Sequence, residues 1–284
     1  FGPVRTEERD FMTTALTKLN GSYTETQLAV LAEMDAEGDA GFVFIPERIK
    51  FSAGGMLAFQ TANGEILQPP IDMIVAIAQR TAAYWPTKET LGSPPLCQSR
   101  DGIEGYFDPD SELAKIAATA DVRHPALGVL DNAAAEGPWS CATCPLNQWG
   151  EGASRAKPCK NMRRLAVLVK GWAAPAILSV PPTSTKVWDA FASGRKNRGK
   201  AYFDTWVHVA LSKDRNKAGT EYAKLVLTVG DALSDGELAE VIAMRHQYVE
   251  LVRALGITPD DYATEDAETT AARAYVQEEA DSPF

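Results

Sequence analysis

The chain has 284 residues, 45% of them hydrophobic, and a formal net charge of −10, apolar content enough for one elaborated domain or two small ones. No run of about 18 apolar residues is available to span a bilayer, and the N-terminus has neither the apolar core nor the small-residue cleavage site of a secretory signal. A soluble protein of the cytoplasm is expected, where cysteines stay reduced.

Residues 1–11 precede the first methionine, so they are set aside as a leader with Met12 as the expected natural start. Residues 12–40 form an N-terminal helical segment: Leu28, Leu31 and Ala32 fall at helical spacing behind Thr24 as cap. From Gly41 the pattern changes to short extended runs, Phe42–Ile45, Ile49–Phe51 and Met56–Gln60, followed by Asn63-Gly64, a hairpin signal. Ile71–Ala78 and Arg80–Trp85 continue as two strands. Residues 91–140 are rich in Gly, Pro and Asp, with one helix-like piece at Ser111–Ala120. Strands resume at Arg164–Lys170, Ala176–Val180, Tyr202–Leu211 and Tyr222–Val229. Between them Thr183–Ser193 reads as a helix capped by Thr183 or Ser184 and stopped by Gly194. The last helix is the best marked. Ser234-Asp-Gly-Glu237 is a capping box, Leu238, Val241, Ile242, Val249, Val252 and Leu255 make its stripe, and Gly256 with Pro259 ends it.

Four cysteines punctuate the middle of the chain, Cys97, Cys141, Cys144 and Cys159. A Cys-x2-Cys pair with a third cysteine nearby favours one structural zinc, two disulfides or unlinked core thiols being the alternatives. A closed tetrathiolate has no open position for catalysis and would staple an insertion of about residues 91–160 that is too polar to order itself. Its charge of −2 would be partly offset by Lys157, Lys160, Arg163 and Arg164. Trp149, Arg155 and Lys157 lie where the same loop could touch nucleic acid.

The charge is segregated. From Arg155 to Lys217 fourteen Lys and Arg face three Asp, a balance of +11, whereas from Ile257 to Phe284 eight carboxylates face Arg273 alone, a balance of −7. Within the basic stretch, one face of the Tyr202 strand carries Phe203, Val207, Val209 and Leu211, and the other presents Tyr202, Trp206 and His208. The Tyr222 strand divides in the same way, with Tyr222 and Lys224 outward. Aromatics beside cations suit single-stranded nucleic acid, through base stacking and phosphate contacts. The candidate contacts are Arg163, Arg164, Lys170, Trp172, Arg195, Lys196, Arg198, Lys200, Tyr202, Trp206, Tyr222 and Lys224. Gly194-Arg-Lys-Asn-Arg-Gly-Lys200 reads as a flexible arm that clamps phosphates; the competing reading covers the aromatics with a helix or loop.

Nothing in the sequence calls for catalysis. Phosphate-binding, dinucleotide-binding, zinc-protease and serine-hydrolase signatures are absent, and His124, His208 and His246 are far apart. Asp101, Asp108, Asp110 and Glu112 offer a Mg2+-dependent nuclease or recombination enzyme as an alternative, and the cysteines offer a zinc-ribbon transcription factor that contacts RNA polymerase.

The chain closes on Glu278-Glu279-Ala-Asp281-Ser-Pro283-Phe284. These seven residues resemble the C-terminal tip of bacterial single-stranded DNA-binding proteins, with Ser282 where that tip has an apolar residue. The resemblance implies that Asp281, Pro283 and Phe284 dock replication or recombination proteins. The segment Cys97…Cys141-Ala-Thr-Cys144-Pro-Leu-Asn-Gln-Trp149-Gly…Lys157-Pro-Cys159-Lys160 is similar to a family of bacteriophage proteins that bind single-stranded DNA, and zinc in an OB-type barrel is similar to the helix-destabilising protein of the T-even phages, a likeness over roughly residues 40–230. The expected fold is therefore α+β and mostly β. An OB-like antiparallel barrel or sheet spans 41–256, with a zinc-stapled insertion, a C-terminal helix and a disordered acidic tail at 257–284. The expected function is single-stranded DNA binding in phage replication or recombination, in the cytoplasm of a bacterial host.

Overall fold

The computed structural model describes residues 46–52, 56–85, 94–107, 138–149, 157–172, 174–215, 219, 221–258 and 261. The expected helices at Thr24–Ala36 and Ser111–Ala120, the run Phe42–Ile45 and the acidic tip lie outside them. Eleven strands and two longer helices follow in order: β1 Glu47–Phe51, β2 Phe59–Thr61, β3 Ile66–Leu67, β4 Ile71–Tyr84, β5 Cys97–Ser99, β6 Glu104–Phe107, β7 Trp139–Ser140, β8 Lys160–Val169, β9 Ala176–Val180, α1 Thr185–Asn197, β10 Thr205–Arg215, β11 Glu221–Ala232 and α2 Asp235–Ala254. The protein is mostly β, as its alternating runs predict. No helix among the described residues is long and apolar enough to cross a membrane.

The strands form one open, mixed sheet in the order β3-β2-β1-β9-β8-β4-β5-β6-β7, with the β10–β11 hairpin attached to β4. Every pairing is antiparallel except β1 with β9. Asn63-Gly64 does turn the chain between β2 and β3, Gly64 taking φ +90°. The two expected runs at 71–78 and 80–85 are one 14-residue strand, β4. Its register against β8 slips between Val75 and Ile77. That bulge puts Ile77 on the same face as Ile74 and Ala76, which a strict alternation would not allow.

β4 and β8 lie in the middle of the sheet and are apolar on both faces. Met73, Val75, Leu165, Val167 and Val169 enter one core with Ile49, Phe59, Leu178, Val207, Val209 and Leu225, closed by Trp188 of α1. Ile74, Ile77, Ala166, Leu168 and Ile177 enter the other, beneath Val241, Met244 and Val252 of α2. Each such side chain contributes roughly 1.5–3 kcal/mol by leaving water. Helices thus cover opposite faces of the sheet.

The capping box of α2 is present as read: Ser234 Oγ accepts from Glu237 N, and the Glu237 carboxylate accepts from Ser234 N at 2.8 Å. α1 departs from its reading. Gly194 does not stop it; the helix runs on to Asn197, and Gly199 makes the turn at φ +68°. Ser184 makes no side-chain cap. Its buried hydroxyl instead accepts from Leu225 N at 3.0 Å, tying α1 to β11.

The acidic tail also begins later than its composition suggests. Ile257 is buried with Tyr84, Trp85, Leu96, Leu146 and Met162, and Asp261 is buried in an ionic cluster. Its carboxylate accepts from Arg48, from Arg164 at 3.2 Å, from Ser179 Oγ at 2.8 Å and from Thr258 N at 3.0 Å. Arg164 donates further to the carbonyls of Leu255 (2.9 Å) and Gly256 (3.0 Å). The exit of α2 is thereby fastened to β1, β8 and β9.

Candidate nucleic-acid interface and cysteine centre

All four cysteines are free thiols, and all four line one cavity of about 20 Å³ together with Tyr84, Gly105, Trp139, Leu146 and Asn147. That is room for roughly one water molecule or ion. The cysteines come from four places: Cys97 opens β5, Cys141 follows β7, Cys144 precedes a short 3-10 turn at Pro145–Asn147, and Cys159 leads into β8. Backbone bonds fix them there, from Cys141 N to Ile103 O at 2.8 Å and from Cys159 N to Leu146 O at 2.8 Å. Gly105 lets β6 pass close to them: a Cβ there would lie 3.1 Å from Cys97 Sγ, tighter than an ordinary contact, and 3.7 Å from Cys141 Sγ.

No three His, Cys, Asp or Glu among the described residues stand in ready-made metal-holding geometry. What the fold supplies is a donor set. Burial pushes the Cys97 thiol up to about 12, and the neighbouring Cys144 and Cys141 add to the rise. Cys159 is raised by burial and then by the other three cysteines, and Cys141 is raised chiefly by burial. Cys97, Cys141 and Cys159 are thus held toward the neutral thiol, a preference that a divalent cation would reverse. Four thiol sulfurs lining one small cavity are the donor chemistry that zinc takes.

The second candidate is the outer face of the β10–β11 hairpin. Opposed pairs His208–Thr228, Ala210–Val226, Ser212–Lys224 and Asp214–Tyr222 run along it. Strand pairing places Asp72 of β4 beside His208, and Lys170 N donates to Asp72 O at 2.9 Å. His208, Thr228, Val226 and Lys170 are exposed, and Trp206 is half-buried at the edge of the α2 core with Lys170 Nζ 5.7 Å from its ring centre. Lys224 holds Asp214 at 2.7 Å, and Tyr222 shares that carboxylate.

Several candidate contacts lie elsewhere. Arg164 is 2% exposed and committed to Asp261, so it is withdrawn from any surface role. Arg163 is bound through both guanidinium ends to Asp189 of α1, at 2.9 and 2.7 Å, and Arg195 is paired with Asp204 and with the Ala201 carbonyl. Tyr202 packs between Trp188 and Phe203, and its hydroxyl accepts from Arg245 of α2 at 2.7 Å. For this aromatic the helix-covered reading holds. Trp172 is half-buried against the first core. Lys196, Arg198 and Lys200 are exposed and have no carboxylate partner among the described residues, but they sit on the last turn of α1 and the turn after it, not on a flexible arm. Cations at a helix C-terminus also complement its dipole.

Asp101 is occupied by its own turn, accepting from Ser99 Oγ, Ile103 N and Glu104 N at 3.0, 2.7 and 3.0 Å. Asp108, Asp110, Glu112, Arg155, Asp281, Pro283 and Phe284 lie outside the described residues. Trp149, 71% exposed, has Lys157 Nζ 5.4 Å from its ring centre. Sequence reasoning missed Asp72, which stands at the head of an apolar strand, and Gly230. A Cβ at Gly230 would lie 2.9 Å from His208 Nε2. The available signal was one acid beside the apolar run Met73–Ala78 at the start of β4. No family model, curated protein or solved structure matches the chain.

Proposed function

We propose that the chain is a single-stranded DNA-binding protein of the phage type, using the outer face of β10–β11 and its continuation onto Asp72 and Lys170 as an OB-like binding surface. The observation that carries this reading is the open sheet face that runs from half-buried Trp206 past exposed His208 and Lys170 to Lys224 and Tyr222 further along the hairpin. Flat rings offer stacking platforms of about 1–3 kcal/mol per base, and the cations follow a phosphate path without reading sequence. Cys97, Cys141, Cys144 and Cys159 would hold one structural zinc that stiffens the insertion; the binding face would not depend on it for chemistry. The acidic tip, with Asp281, Pro283 and Phe284, would recruit replication or recombination partners in the host cytoplasm.

The test is a tryptophan-quenching titration with single- and double-stranded oligonucleotides at two salt concentrations. Preference for the single strand, with log affinity falling against log salt at about −0.7 per phosphate contacted, is the expected result. Equal affinity for duplex, or no salt dependence, would overturn the reading.

A further inference from the structure

Asp72 is placed as a phosphate would be. Its Oδ1 meets His208 Nδ1 at 2.5 Å and its Oδ2 meets Lys170 Nζ at 3.4 Å, so each oxygen of one anion faces a different basic side chain. The three come from three strands or strand ends, β4, β10 and the residue after β8, and the backbone fixes their spacing. Across the hairpin, Gly230 leaves the space into which the His208 ring lies; a side chain there would displace it. The group is open to solvent, with side-chain exposures of 65% for Lys170, 46% for His208 and 31% for Asp72. Trp206 adjoins it through Lys170.

Resting on the reading of this face as a single-strand surface, we propose that Lys170 and His208 form a phosphodiester-binding subsite beside the Trp206 stacking position, with Asp72 as the resident anion that a backbone phosphate displaces. The charges that act on Asp72 are those of His208 and Lys170. From β11 the ring of His208 meets Thr228 and Gly230, neither of them titratable. On the α2 side, Arg245 is engaged with Tyr202, Phe203 and the Ala76 carbonyl. Asp72 therefore offsets the charge that Lys170 and His208 offer a polyanion, and should cap the affinity of the subsite.

The experiment is oligo-dT binding by the full chain at several salt concentrations, for the wild type and for Asp72→Asn, His208→Gln, Lys170→Gln and the double variant Asp72→Asn with Lys170→Gln. Asp72→Asn keeps the size of the side chain while removing its charge. It should tighten binding about fivefold at low salt, the worth of one unit charge at close range in water, and steepen the salt slope by about 0.7. Lys170→Gln and His208→Gln should each weaken binding, and the gain from Asp72→Asn should shrink in the Lys170→Gln background. If the wild type binds single strands but Asp72→Asn binds no tighter, or Lys170→Gln and His208→Gln bind as well as the wild type, the subsite is overturned and the wider reading stands. If the wild type shows no single-strand preference, both fall.

Discussion

Asp261 and Asp72 each sit between two basic side chains, and burial gives them opposite roles. Asp261 lies inside, between Arg164 and Arg48, with Ser179 and Thr258 completing its hydrogen bonds. Asp72 lies at the surface, between His208 and Lys170. The interior cluster cannot exchange partners, because any separated charge would be stranded away from water. The surface cluster can, because water or a phosphate replaces whatever leaves. Basic residues on a strand therefore read as binding residues only where the strand face is open.

The largest effect should come from breaking the interior cluster. Asp261→Ala leaves two guanidinium groups without their anion, Arg164 among them at 2% exposure, and should cost about 3–5 kcal/mol of stability in urea unfolding. DNA affinity of the folded protein should be unchanged. A loss below about 1 kcal/mol would show that the C-terminal exit is not fastened there. The pH dependence carries the same information. Burial alone would raise the pKa of Asp261, but Arg164, Arg48 and the hydrogen bonds of Thr258 and Ser179 outweigh it and hold it below the usual carboxylate range. A depressed folded-state pKa stabilises the fold fully above the unfolded value of about 3.9 and loses that contribution as pH falls through the lower folded value. Asp261→Ala should flatten that acid limb.

The cysteine ring is a third case, buried acids whose counter-charge would be a metal. Metal analysis of the purified chain should find about one zinc per molecule, and Cys144→Ser should bring it near none. Gly105→Ala should lower metal retention without removing a ligand, through its 3.1 Å approach to Cys97 Sγ. Full zinc in Cys144→Ser would place the metal elsewhere.

On the sheet face the aromatics separate in the same manner as the carboxylates. Trp206→Ala should weaken oligo-dT binding of the folded protein by about 1–3 kcal/mol, besides the stability lost from its packing at the edge of the α2 core. Tyr202→Phe removes a hydroxyl that Arg245 uses and should lower stability by about 0.5–1.5 kcal/mol while leaving binding intact. The reverse pattern would exchange their roles.

Local signals carried much of the fold. The capping box of α2, the Asn63-Gly64 turn and the alternation in β10 and β11 each act within a few residues, and each was legible. The four cysteines were legible as a group because a Cys-x2-Cys pair has few other uses. What could not be read was tertiary. Arg164 and Lys170 look equivalent in a list of basic residues, and only the packing of α2 and its exit over β8 buries one and leaves the other at the rim. Tyr202 and Trp206 stand four residues apart in the same outward pattern, yet Tyr202 packs against Trp188 of α1 and holds Arg245, while Trp206 stays at the edge of the α2 core beside Lys170. Gly194 looked like a helix stop because glycine is common there; interactions further along carried α1 one turn past it. Asp72 and His208 are 136 positions apart and no periodicity joins them.

The smallest effect tests whether an exposed pair can serve the ligand without serving the fold. Lys224 and Asp214 are 39% and 37% exposed and 2.7 Å apart. The hydrogen bond from Lys224 is the largest influence holding Asp214 below its ordinary range, but solvent screens both groups, so the pair should add little to the stability of the fold. Lys224→Gln should therefore leave the urea midpoint nearly unmoved. If Lys224 contacts phosphate, the same change should reduce the salt slope of oligo-dT binding by about 0.7 and weaken binding uniformly across sequences. An unchanged slope would end the strand's path at Trp206 and His208, short of the distal half of the β10–β11 hairpin. A large loss of stability would instead make the surface pair resemble the interior cluster, and the distinction drawn from burial would fail at the residue where it costs least to test.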